Sequence, residues 1–275
     1  MTATGAPLDQ AALRAQLLAP AGRYAALDVV ASTGSTNLDL AGQAGRGAQD
    51  RTVLIAETQT AGQGRQARNW VSPPGSGLYL SVLLRPAEVP GERLSWLTLL
   101  AGVALVRTAN WAGATGTALK WPNDLLLGGR KAAGVLAMVG SVKENMVVLG
   151  MGLNVLPLPG DVPLGAGGLA ATSLAEAGAI KLDRTAIAIR LLSELATLDD
   201  AWRAAGGDAV VAGLYDEYRT SCATFDQDVR VELNGSDVLE GTAVRLAEDG
   251  TLVLRTAAGE REVSAGDVVH LRASS

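Results

Sequence analysis

The chain has 275 residues, 48% of them hydrophobic but only 4% aromatic, and a formal net charge of −5. That is long enough for one large domain, or a large one with a small companion, packed mainly on Leu, Val and Ala. The acidic balance argues against general nucleic-acid binding. The single cysteine, Cys222, excludes an internal disulfide, and with a single histidine, His270, the usual zinc ligand sets are nearly excluded.

In chain order, residues 9–18 read as a short helix with Asp9 as its N-cap. Residues 24–33 read as a strand that ends in the polar cluster 32–37, and residues 36–44 as a helix. Residues 53–58 form an apolar strand leading into a loop rich in glycine and arginine. Residues 78–84 alternate, with Leu78, Leu80 and Val82 on one face and Tyr79 and Ser81 on the other. Residues 91–112 carry a long apolar helical stripe, including Leu94, Leu97, Leu100, Ala101, Ala104 and Leu105. A hairpin follows, 125–127 and 133–139 around Gly128-Gly129, and then a strand at 146–155. Residues 157–168 lack periodicity and read as a loop, residues 183–204 and 208–222 as helices. This is an α+β pattern: a mixed or mostly antiparallel sheet with helices on one side. From residue 228 short strands take over, at 228–233, 238–246, 251–256 and 261–264, with turns at Asn234-Gly235, Asp249-Gly250 and Ala258-Gly259. They suggest a small β-barrel. The expected division is 1–224 and 225–275.

No run of about 18 uncharged apolar residues suggests a membrane span. Residues 1–10 lack the basic and apolar regions of a secretory leader. The expected location is cytoplasmic.

Two short segments carry most of the chemistry. Gly62-Gln63-Gly64-Arg65-Gln66-Ala67-Arg68-Asn69-Trp70 places two glycines and two arginines just after a strand. Glycines allow close backbone approach, the arginine forks suit phosphate or carboxylate, and Trp70 can stack or wall a pocket. Lys120-Trp121-Pro122-Asn123-Asp124, with Arg130, Lys131 and Gly134 close behind, adds lysines, an amide and a carboxylate that can accept a proton from an amine. Basic loops on an acidic body suit a small anionic ligand. Gly150 and Gly152, in Gly150-Met151-Gly152-Leu153-Asn154, leave room for a flat ring, and Asn154 can bind phosphate or metal-bound water. Ser35-Thr36-Asn37 can serve a small polar ring such as a ureido group, or simply cap a helix. No Walker A sequence occurs; Gly165-Ala166-Gly167-Gly168 lacks the following Lys-Ser/Thr. His270, in the strand-like 268–271, reads as a packed strand residue. From the residues alone the chain is an anion-binding α+β enzyme, nucleotide-dependent by inventory.

In this order, Ser35-Thr36-Asn37, residues 57–70, Lys120 to Asp124, residues 130–134 and residues 150–154 resemble the biotin–protein ligase family, monofunctional type. The resemblance covers about 25–272, and Lys-Trp-Pro-Asn-Asp is its most specific piece. It implies a class II synthetase-like catalytic fold with a C-terminal SH3-like module, and a two-step reaction. Biotin and Mg²⁺-ATP give biotinyl-5′-AMP, and a lysine of the biotin carboxyl carrier domain of acyl-CoA carboxylase then displaces AMP. By resemblance, Ser35, Thr36, Asn37, Gln59, Gly62, Gln63, Gly64, Arg65, Lys131 and Gly134 line the biotin site. Arg68, Trp70, Lys120, Asn123, Gly150, Gly152 and Asn154 belong to the nucleotide side. Lys131, Arg65 and Asp124 carry the chemistry, Asp124 by helping amine transfer, and the loop at 157–168 closes over the adenylate. The metal's ligands stay open, and the chain is a monomer or dimer.

The chain departs from the family's usual Gly-Arg-Gly-Arg-x-Gly-Arg-x-Trp loop at Gln63 and Ala67, which implies weaker retention of the adenylate. About 24 residues precede the first core strand, too few for the N-terminal DNA-binding domain of some members, so no nucleic-acid partner is expected. A lipoate or octanoyl transferase of the same fold would need a histidine that His270 is misplaced to supply. A non-catalytic biotin-binding sensor is the third reading.

Overall fold

The structure, a computed structural model, describes residues 5–140, 145–159, 162–165, 168–232, 238–264 and 267–270. Helix α1 (Gln10–Leu17) starts where Asp9 accepts a hydrogen bond from the Ala12 amide at 2.9 Å, a side-chain cap for an orphan N–H. Strand β1 (Ala26–Val30) runs into the polar cluster that opens α2 (Thr36–Gly45), and β2 (Thr52–Ala56) stops just before the Gly/Arg loop. Strand β3 (Gly77–Leu84) is buried along its whole length. Helix α3 (Trp96–Ala112) begins later than its apolar stripe suggests, because the segment after Pro90 forms a short 3-10 turn, and it ends at Gly113 with φ 92°, a left-handed cap position suited to glycine.

Strands β4 (Thr117–Lys120), β5 (Asp124–Leu127), β6 (Arg130–Val139) and β7 (Val147–Asn154) complete a seven-stranded sheet of order β1-β2-β3-β7-β6-β5-β4. Only β1 and β2 are parallel; the other neighbours are antiparallel. Strand β4 was not anticipated. It is four residues long at the sheet edge, too short for an alternation to stand out.

The period of two along each strand divides the apolar residues between two faces. Val53, Ile55, Val82, Leu84 and Leu149 join the main core with α1, α3, α4 (Arg184–Ala204) and α5 (Leu214–Ser221). Their neighbours Leu54, Leu83 and Val148 pack under Leu40 and Ala44 of α2. Four helices therefore cover one face, as expected, and α2 takes the other. Helix α5 is shorter than the expected 208–222. Asp208 draws the Val210 and Val211 amides into a turn at 2.9 and 3.0 Å, and Gly213 has φ 72° before the helix starts.

Strands β8 (Asp228–Glu232), β9 (Val238–Leu246), β10 (Leu252–Thr256), β11 (Gly259–Val263) and β12 (Asp267–His270) form an antiparallel sheet of order β11-β10-β9-β8-β12. The expected turn at 234–235 lies outside the described residues. Val229, Val231, Leu252 and Leu254 share one hydrophobic cluster with α3. The Trp96 indole donates to Glu248 O at 2.7 Å and the Trp121 indole to Gly250 O at 3.2 Å. Each fully buried large side chain at this junction stabilises the docking by roughly 1.5–3 kcal/mol. The small sheet thus braces the Lys120–Asp124 turn from behind.

Candidate active site

One cavity of about 370 Å³ opens over the sheet, and every site residue named from the sequence lines it except Gly62. Its two ends differ in chemistry.

At one end, hydroxyls and amides bind each other. Gln59 Oε1 accepts from the Thr36 amide at 2.9 Å and lies 3.1 Å from Thr36 Oγ1. The Asn37 amide nitrogen donates to Leu136 O at 3.0 Å, and its Oδ1 lies 2.6 Å from the hydroxyl of Ser81. Ser35 sits at the N-cap of α2, but its side chain makes no capping bond, so the simple capping role does not account for it. Gly150 is required here: a Cβ would collide with the Asn37 amide. Sequence reasoning missed Ser81. The only available signal was a hydroxyl within the apolar run of β3.

The middle of the floor is a glycine cradle. A Cβ on Gly152 would lie 2.5 Å from the Trp70 ring, and one on Gly134 would lie 3.3 Å from it. The flat group held there is the indole of Trp70 itself, whose buried Nε1 has no hydrogen-bond partner.

The other end is charged. Lys131 Nζ lies 2.6 Å from Asp124 Oδ1, with both side chains largely buried. A register shift between Leu125 and Leu126 in the β5–β6 ladder sets Asp124 opposite Gly134. A Cβ at Gly134 would come within 3.4 Å of Lys131 Cε and Nζ, so the glycine leaves the space the lysine stem uses. The Lys131 backbone is clamped on its outer edge, donating to Ala170 O at 2.8 Å and accepting from the Thr172 amide at 2.9 Å. Those two residues follow the 157–168 loop, of which Leu158, Val162, Pro163, Leu164 and Gly165 line the cavity; residues 160, 161, 166 and 167 lie outside the described residues. Arg65, Arg68 and Lys120 add positive charge.

The Gly/Arg loop closes on itself. Trp70 N–H donates to Gly62 O at 2.8 Å, Gly64 N–H to Arg68 O at 2.7 Å, and Gln66 takes a left-handed backbone with φ 53°. A Cβ on Gly62 would meet Trp70 O at 2.9 Å. Gly62 thus takes part in loop closure through its carbonyl, and the Gly64 amide bonds within the loop. Asn123 and Asn154 also make framework bonds, their amide nitrogens donating to Val135 O and Thr172 O at 2.9 Å each.

His270 stands outside the cavity lining. Its Nε2 is 3.2 Å from Thr224 Oγ1, which also accepts from the Trp121 amide at 3.1 Å. Burial, then the nearby charge of Lys120, holds the imidazole below its ordinary pKa. The packed-strand reading stands, with the addition that the residue touches the bracing of the Lys120–Asp124 turn.

The Biotin/lipoate A/B protein ligase family model matches residues 29–154, and the Biotin protein ligase C terminal domain model matches 224–271. The chain is 43% identical to the biotin–[acetyl-CoA-carboxylase] ligase of Mycobacterium tuberculosis over 97% of both chains. The chain belongs to the biotin protein ligase family. It is also 32% identical to the bifunctional ligase/repressor BirA of Bacillus subtilis, covering 88% of this chain and 72% of that one. The solved Aquifex aeolicus biotin protein ligase in complex with biotin and ATP shares the fold, with a TM-score of 0.71 at 24% identity, covering 91% of this chain and all of that one. The first family model spans every site residue named from the sequence. Among the described residues no helix is long and apolar enough to cross a membrane.

Proposed function

We propose that the protein joins biotin to ATP and passes it to one lysine of the biotin carboxyl carrier domain of acyl-CoA carboxylase. The observation that carries this reading is the Lys131–Asp124 pair, 2.6 Å apart, in the same cavity as Arg65, Arg68 and the amide–hydroxyl end. The hydroxyl–amide end holds the ureido ring, and the charged end receives the carboxyl tail and the nucleotide.

In the first step a biotin carboxylate oxygen attacks the α-phosphorus and the bond to pyrophosphate breaks. Lys131 and Arg65 offset the negative charge gathered as the two anions meet, typically the largest single contribution in such sites. In the second step the carrier amine attacks the acyl carbon and AMP leaves with the bonding electrons. Asp124 takes the proton that the amine loses. Leu158, Val162 and Leu164 exclude water from the adenylate.

Among the described residues no cluster of three or more metal-ligating side chains occurs, and Asp124 is the one carboxylate that lines the cavity. This fits Mg²⁺ carried on the nucleotide phosphates better than a protein cage. The division at 1–224 and 225–275, a cytoplasmic location and the absence of a nucleic-acid partner belong to the same reading, supported by the match boundaries and the net charge of −5.

Incubation with biotin, Mg²⁺-ATP and a carrier domain, followed by mass spectrometry, tests it. One modified carrier lysine and stoichiometric pyrophosphate are expected. Tight biotin binding without pyrophosphate would indicate a sensor, and turnover only with lipoate or octanoate would indicate the sister activity.

A further inference from the structure

Ser81 lies in the middle of β3 with no exposed surface, behind the end of the cavity lined by Thr36, Asn37 and Gln59. Three oxygen–oxygen contacts run in a row: Gln59 Oε1 to Thr36 Oγ1 at 3.1 Å, Thr36 Oγ1 to Ser81 Oγ at 2.7 Å, and Ser81 Oγ to Asn37 Oδ1 at 2.6 Å. The two ends of the row are amide carbonyls, which only accept, and the two hydroxyls between them hold one proton each. Three contacts share two protons. With both protons kept inside the row, where they leave the fewest oxygens facing one another, Thr36 Oγ1 keeps a lone pair but offers no proton to a ligand.

We propose that Ser81 is a positioning residue that makes this end of the cavity an acceptor surface, selective for a ring edge bearing N–H donors. The inference rests on the biotin reading and extends it to the basis of selection: a ureido N–H completes the row, whereas a ring edge offering only lone pairs leaves buried oxygens facing each other. A buried polar group left without a partner is the strongest discriminator such a pocket has.

The test measures biotin-dependent ATP–pyrophosphate exchange by wild-type protein, Ser81→Ala and Ser81→Cys. The ligands are biotin and its isosteric cyclic carbamate, in which one ring N–H is replaced by oxygen. Ser81→Ala is expected to raise the biotin KM about tenfold, leave the ATP KM unchanged, and narrow discrimination against the carbamate by about the same factor. Ser81→Cys, which keeps a weak donor and similar volume, should fall between, and it carries the same comparison if the alanine variant does not fold. A biotin KM within about twofold of wild type, or biotin and ATP KM rising together with a lowered Tm, would reduce Ser81 to a packing residue and overturn the proposal. Wild-type protein without any biotin-dependent exchange would overturn the biotin reading as well, which separates the two failures.

Discussion

The two ends of the cavity are built on different principles. The hydroxyl–amide end rests on α2 and β3, and its side chains are bound to one another: Thr36, Asn37 and Ser81 are all buried, and each has a partner in the row. The charged end combines one sheet-borne pair, Lys131 and Asp124, with arginines on a loop that holds its shape mainly through bonds to itself. A neutral ring can be recognised by a rigid surface whose side chains already hold one another in place and await only the ring's donor. Two anions need positive charge already in place where they meet, and here it comes from a sheet-borne lysine together with arginines on a self-bonded loop.

If that contrast is right, equal insults should have unequal effects. Gly150→Ala is the more severe of the substitutions that separate the two ends, because its Cβ enters the Asn37 amide and the packed surroundings cannot give. Overpacking of this kind costs about 1–3 kcal/mol, and a rise in biotin KM of about tenfold or more is expected in steady-state kinetics, with the ATP KM much less changed. Equal changes in both constants would mean that the two ends are not separately built.

Gln63→Arg tests the loop end. Gln63 is exposed and lines the cavity, so an added guanidinium can reach an anion without repacking. Slower release of biotinyl-AMP by several-fold is expected, below the roughly 1.5–3 kcal/mol of a hydrogen bond to a charged group because the position is exposed. Stopped-flow fluorescence of adenylate release measures it, and an unchanged rate would show that the glutamine does not weaken retention.

His270→Gln should have the smallest effect and only in acid. The folded pKa lies below the ordinary 6.5, so the unfolded chain takes up the proton first as pH falls. The wild-type stability that depends on a neutral His270 is complete above about 6.5 and is lost as pH drops through the lower folded value. Tm measured at pH 7.5 and 5.5 should fall more for wild type than for the glutamine variant. Parallel losses would remove His270 from the bracing of the Lys120–Asp124 turn.

Much of this was legible from residues alone. Lys-Trp-Pro-Asn-Asp, the Gly/Arg loop and the paired glycines marked the cavity because unusual residue types cluster there. The strands β3 and β7 and the helix α4 followed from periodicity. What stayed hidden depends on who faces whom. Lys131 meets Asp124 through a register shift between Leu125 and Leu126, which no local pattern announces. Ser81 looks like any small residue on the second face of a strand until α2 is seen to pack over it. The loop glycines suggest ligand contact, whereas the space beside Gly62 is filled by Trp70 O. Residues 208–213 carry helical composition, but a local Asp208 turn competes with the helix.

Biotin-dependent exchange of pyrophosphate into ATP, compared between wild type and Lys131→Ala, reads the meeting of carboxylate and α-phosphate without the carrier. Loss of the ammonium should lower the exchange rate by about 10²–10³ while protein folding is retained. A Lys131→Ala protein that exchanges within about threefold of wild type, less than 1 kcal/mol of transition-state stabilisation, would contradict the assignment of this pocket to that reaction.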